Sequence, residues 1–96
     1  MFLIESRLAD AARGNSEAFY DLGVAYSTGS DGIEYDLVQA HKFFNLAALG
    51  GSERGQTCRA EISTEMSRTD VAEAQRQARA WLNGAPRPGF DSRFAA

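Results

Sequence analysis

Apolar positions return at helical spacing through most of the chain. Ala18, Leu22, Ala25 and Tyr26 fall on one face of a segment that begins at Ser16, and steps of three and four residues mark a helix with one buried stripe. Ser16 reads as the N-cap, its hydroxyl accepting a backbone N–H of the first turn. Thr28-Gly29-Ser30-Asp31-Gly32 should end this helix near Gly29, because glycines and short polar side chains supply positive φ and local side-chain-to-backbone bonds. A second helix is expected from near Asp36, presenting Ala40, Phe43, Phe44, Ala47 and Ala48, with Gly50 or Gly51 in the left-handed conformation at its end. A third runs from about Ser52 to Met66 and a fourth from about Arg68 to Leu82. Ser67 with Asp70 resembles a capping box with the shorter acid, and Asn83-Gly84 marks the stop. Ala85-Pro86-Arg87-Pro88-Gly89 cannot continue a helix, so 85–96 is expected to be a flexible tail.

The pattern also repeats. Ala11-Ala12-Arg13-Gly14-Asn15-Ser16-Glu17 returns 36 residues later as Ala47-Ala48-Leu49-Gly50-Gly51-Ser52-Glu53. Asp36-Leu37-Val38-Gln39-Ala40 returns at an offset of 34 as Asp70-Val71-Ala72-Glu73-Ala74, with Gly50 matching Gly84. Ile4, Leu8, Ala11 and Ala12 correspond to Ala40, Phe44, Ala47 and Ala48, so 2–13 reads as the second helix of a truncated repeat. The expected organisation is therefore a helical domain over 1–84, with a truncated repeat at 2–13, a full repeat at 14–50 and a degenerate one at 51–84, and the tail at 85–96. Stacked helix pairs leave apolar surface at each end of such an array, and a cap, a copy or a partner must cover it.

Ala12-x-Gly14, Ala18, Leu22-Gly23-x-x-Tyr26, Gly29, Gly32-Ile33-x-x-Asp36, Ala40, Phe43-Phe44 and Ala47-Ala48-x-Gly50 resemble one nearly complete Sel1-like repeat, a tetratricopeptide-related unit. The match is close over 11–50. Two departures stand out: Ser30 and Asp31 lengthen the spacing between the loop glycines, and Arg59 replaces the glycine equivalent to Gly23 in the second unit. The resemblance implies an all-α fold of about five helices, a short right-handed solenoid of antiparallel helix pairs. It also implies that the first helix of each pair lines a concave, protein-binding or peptide-binding face.

Composition narrows the function further. Thirteen acidic against ten basic residues give a formal charge of -3 and a pI near 5.0, which offers no basic field for a nucleic-acid backbone. One cysteine, Cys58, makes no internal disulfide, and Phe2-Leu3-Ile4 is too short for a signal core or a membrane span. The expectation is a cytoplasmic protein of the kind found as small bacterial repeat proteins. Its expected role is that of an adaptor or accessory subunit, without cofactor, metal, nucleic acid or membrane span.

Candidate chemistry is sparse. His41, the single histidine, sits beside Lys42 off the predicted apolar face and reads as solvated or partner-facing. Cys58 aligns with core residue Leu22 and reads as a small buried hydrophobe. Pairing it with His41 in a thiol enzyme would require two side chains that the repeat alignment points apart. Gly29–Gly32 has no lysine behind it for a phosphate loop, and Asp31, Glu34 and Asp36 lack the ligand order of a calcium loop. Arg76, Arg79, Arg87 and Arg93 mingle with Glu73 and Asp91 as a solvated face. Phe90 and Phe94 suit a short linear motif or a strap over the last helix. The expected partner-binding stripe is Tyr20, Asp21, Val24 and Ser27 on the first helix, continued by Gln56 and Ser63 on its counterpart. The alternative to an adaptor is a structural protein that self-assembles through its unfinished ends.

Overall fold

A computed structural model of the chain describes residues 7–11, 13–30 and 32–84. Every regular element among the described residues is helical: 7–11 (α1), Ser16–Thr28 (α2), Leu37–Leu49 (α3), Glu53–Ser63 (α4) and Arg68–Leu82 (α5). The expected tail with Phe90 and Phe94, the start of the truncated repeat, Ala12 and Asp31 lie outside the described residues.

Local chemistry sets the helix ends. Asn15, not Ser16, caps α2: its side-chain oxygen accepts from the N–H groups of Glu17 and Ala18. Both residue types suit an N-cap, and Ser16 is drawn away because its hydroxyl donates to the Gly50 carbonyl at 2.9 Å, tying the start of α2 to the end of α3. Gly29 ends α2 in the left-handed region, φ 71°. Asp36 caps α3 and Ser52 caps α4, while Ser67 caps α5 by accepting from the Asp70 N–H. At the end of α3 the left-handed residue is Gly51 (φ 102°) and not Gly50 (φ -86°).

The core is built around α3. Helices α2, α4 and α5 all approach it closely, and α4 and α5 approach α3 far more extensively than each other. Phe43 and Phe44 are fully buried on α3, with Leu22 of α2 beside them. An aromatic series joins the helices: Tyr26 stacks on Phe43 at 5.8 Å, Phe43 lies 6.3 Å from Phe19, and Trp81 of α5 meets both Phe43 and Phe19 edge-on. Such offset and edge contacts add to the burial of large rings. The ammonium of Lys42 rests 4.5 Å from the Phe43 ring centre, and burial holds it below the usual lysine range.

Glycine permits two close approaches to α3. A Cβ on Gly23 would stand 2.5 Å from the Phe44 ring, and one on Gly55 would stand 2.8 Å from the Ala47 Cβ and 3.0 Å from the Phe44 carbonyl oxygen. The second approach lies one turn before Arg59, the residue that replaces glycine in the repeat alignment. Helix α4 thus regains close packing at a different position, and Gly55 is its one buried residue.

His41 corrects the sequence reading. The imidazole is 2 % exposed, inside the α3–α4 contact rather than in solvent or toward a partner. Its Nε2 stands 3.0 Å from the Ser63 hydroxyl of α4. The apolar stripe of α3 is wide enough to take in position 41 because α4 and α5 pack on separate sides of the helix. Cys58 is also less buried than its alignment with Leu22 implies, being half-exposed on α4.

Candidate functional site

The six residues expected to form a binding stripe divide by exposure. Gln56 is exposed, whereas Tyr20, Asp21, Val24, Ser27 and Ser63 are half-buried. Several are engaged within the chain. Asp21 pairs with Arg7 at 3.1 Å, Ser27 donates to the Val24 carbonyl, and the Ser63 hydroxyl donates to the Arg59 carbonyl at 2.8 Å.

Tyr20 is the pivot of this face. Its ring lies 5.7 Å from that of Phe44 on one side, and the Arg54 guanidinium sits 4.4 Å from its centre. Arg54 also pairs with Glu17 at 2.7 Å, so α2 and α4 are bridged across the surface. Burial, with the Cys58 thiol next in effect, raises the Tyr20 hydroxyl above the usual tyrosine range. Tyr20, Glu53, Arg54, Thr57 and Cys58 enclose an open cavity of about 280 Å³. Its rim carries one cation, one carboxylate, a hydroxyl and a thiol around an aromatic wall. A shallow site of this kind suits a side chain of another protein better than a small molecule, which is normally held in a deeper apolar pocket.

No protein-family model, curated protein or solved structure matches the chain.

A second concavity of about 200 Å³ meets α2 at Phe19, the residue adjacent to Tyr20, and is lined by Ala11, Phe19, Leu46, Leu49, Trp81 and Leu82 among others. It is apolar, and Leu49 and Leu82 on its rim are 62 % and 52 % exposed. Sequence reasoning passed over it because its walls come from four helices and no single helix face announces it. Phe19 and Leu46, which form its floor, were likewise absent from the predicted stripes although both are buried.

Elsewhere the polar side chains are used structurally. Gln39 of α3 donates to Gln77 of α5 at 2.8 Å. Glu73 accepts from Arg76 and from Gln77, which brings its carboxyl to about 2. Among the described residues no three His, Cys, Asp or Glu side chains gather as a metal site, and no helix is long and apolar enough to cross a membrane. Cys58 opens to the cavity beside Tyr20, and His41 is not among that cavity's walls.

Proposed function

We propose that the chain is a short Sel1-like solenoid that binds a protein or peptide on the face formed by α2 and α4, as an adaptor or accessory subunit in the cytoplasm. One observation carries this reading. Positions related by the sequence repeat take the same structural part: Ala11 and Ala47, 36 residues apart, are both fully buried, as are Ala40 and Ala74, 34 apart. Positive-φ glycines, Gly14, Gly51 and Gly84, follow α1, α3 and α5 in turn, with the middle one displaced by one residue from Gly50, the aligned position. Stacked hairpins of this type line an extended concave surface with their first helices, and on this reading that surface holds Tyr20, Arg54 and Gln56.

Affinity capture with cross-linking mass spectrometry tests the proposal. The expected result is a reproducible protein partner cross-linked near Arg54, Gln56 or Thr57. Contacts confined to the rim of Leu49 and Leu82, together with a concentration-dependent dimer, would favour self-assembly instead. An enzyme built on Cys58 and His41 requires a thiol in reach of the imidazole. Labelling of native Cys58 at neutral pH much faster than a free thiol would support that rival, and ordinary labelling would count against it.

A further inference from the structure

Gly55, Arg59 and Ser63 lie four residues apart on one face of α4, and each meets α3. Gly55 rests on Ala47 and Phe44, Arg59 donates to the Asn45 side-chain oxygen, and Ser63 meets His41. The rest of α4 is held weakly. No large apolar side chain of this helix is buried, and its bridge to α2 through Arg54 and Glu17 is solvent-exposed, where ion pairs contribute little. The His41–Ser63 contact is therefore one of a few that seat α4, beside those of Gly55, of Arg59 and of the Arg54 guanidinium over Tyr20.

The protonation state of that contact follows from its donors. A hydroxyl has one proton, and that of Ser63 is directed to the Arg59 carbonyl at 2.8 Å. Ser63 must then accept from His41, so the N–H of the neutral ring is on Nε2 and the bare lone pair is on Nδ1. Nδ1 is buried and has no hydrogen-bond partner. A lone pair left unpaired there is tolerable; an N–H of an imidazolium with no acceptor is not. Arg59 adds a second positive charge from α4. No carboxylate is among the influences on the ring, which are its burial, the Arg59 charge and a hydrogen bond with its own backbone. Glu53 and Glu61 of α4, Asp36 before α3, Glu65 after α4 and Asp70 of α5 are exposed. Glu17 of α2 is bound by Arg54, Asp21 of α2 by Arg7 and Glu73 of α5 by Arg76, while Lys42 of α3 turns to Phe43 and Trp81.

We propose that His41 is an acid-sensitive latch that holds α4 on α3 while neutral and releases it when Nδ1 is protonated. The turns on either side supply the hinges, Gly50-Gly51 before α4 and Thr64–Ser67 after it. The aromatic series of α2, α3 and α5 does not include α4, so its opening leaves Phe19, Phe43 and Trp81 in place.

The sign is fixed by linkage. Burial, and then Arg59, lower the His41 pKa from the ordinary 6.5 and outweigh the smaller raising effect of a hydrogen bond with its own backbone. The released state therefore binds the proton more readily, and the closed state is favoured above about 6.5 and loses ground as pH falls below it, by up to about tenfold per pH unit.

Hydrogen exchange of the full chain between pH 7.5 and 5.0, corrected for the intrinsic pH dependence of exchange, reads this directly. Protection of the amides in α4 should fall up to about tenfold for each unit below about 6.5, while α2 and α3 keep theirs. His41→Gln retains a donor for Ser63 and cannot take up the proton, and its α4 should stay protected in acid. Equal acid opening in His41→Gln, or α4 protection unchanged from pH 7.5 to 5.0 in the native chain, overturns the latch. The imidazole titration followed by NMR in the native chain is a second measurement that needs no variant, and a midpoint at or above 6.5 overturns it as well.

Discussion

Gly23 of α2 and Phe44 of α3 touch so closely that no side chain fits between them. A Cβ at position 23 would lie 2.5 Å from two ring carbons of Phe44. That ring cannot move freely, because Tyr20 meets it from α2 and it is fully buried.

Overpacking at this point costs about 1 to 3 kcal/mol, so Gly23→Ala should destabilise the protein by up to about 2 kcal/mol net of the propensity gain. Alanine gains about 1 kcal/mol over glycine in helix propensity, and overpacking against Phe44 outweighs it. Thermal unfolding followed by circular dichroism should show a lowered midpoint. A midpoint equal to or above the parent would mean that the helices separate easily at this point.

Tyr20 is a structural residue as well as a surface one. Its contacts with Phe44 and Arg54 should make Tyr20→Ala cost about 1 to 3 kcal/mol. Gln56→Ala, fully on the surface, should fall within about 0.5 kcal/mol. A partner-binding experiment should accordingly use position 56, where loss of binding is not confounded by loss of fold.

Much of the architecture was legible because it rests on local signals. The cap at Asp36, the stop at Gly29 and the span of α5 follow from residue types at fixed positions. The stripe of α3 was legible only in part. Ala40, Phe43, Phe44 and Ala47 have the expected burial, but His41 and Leu46 are buried too, because three helices surround α3 and a one-face pattern underestimates its core. The cap of α2 was misplaced by one residue because Asn15 and Ser16 suit that role equally; the Gly50 carbonyl, distant in sequence, decides between them. The proposed site depends most on tertiary packing. Tyr20 at a position beside the core stripe could be read from spacing, but the Arg54 guanidinium over its ring could not.

The Glu73 carboxyl should titrate near about 2 when followed by NMR, held down by hydrogen bonds from Arg76 and then Gln77. Its folded pKa is lower than the ordinary 4.5, so the stability it brings is present above that value and fades as pH falls toward about 2. Arg76→Gln should return the titration most of the way to the ordinary carboxylate range. A Glu73 titration unchanged in that variant would mean the pair does not persist in solution.

Helix α5 depends on a single large side chain for its seat. Its buried residues are Ala74 and Ala78, which allow close approach but contribute little area each, and Leu82 points into solvent at 52 % exposure. Trp81 supplies most of the remainder, beside half-buried Val71 and the Gln39–Gln77 hydrogen bond. It stands edge-on to Phe19 at 5.8 Å and to Phe43 at 5.7 Å, so one ring ties α5 to both α2 and α3. Full burial of tryptophan makes truncation to alanine cost about 3 to 5 kcal/mol, and the half-buried Trp81 belongs near the lower end, about 3 kcal/mol. That is a large share of the stability of a domain this small. Trp81→Phe keeps an aromatic edge against both rings and should recover most of the loss, whereas Leu82→Ala should change stability by no more than about 0.5 kcal/mol. Urea unfolding of the three variants, followed by circular dichroism because two of them lack the only tryptophan, gives the comparison. Equal effects at positions 81 and 82 would mean that the ring is not docked between Phe19 and Phe43, and that α5 is held by its other contacts alone.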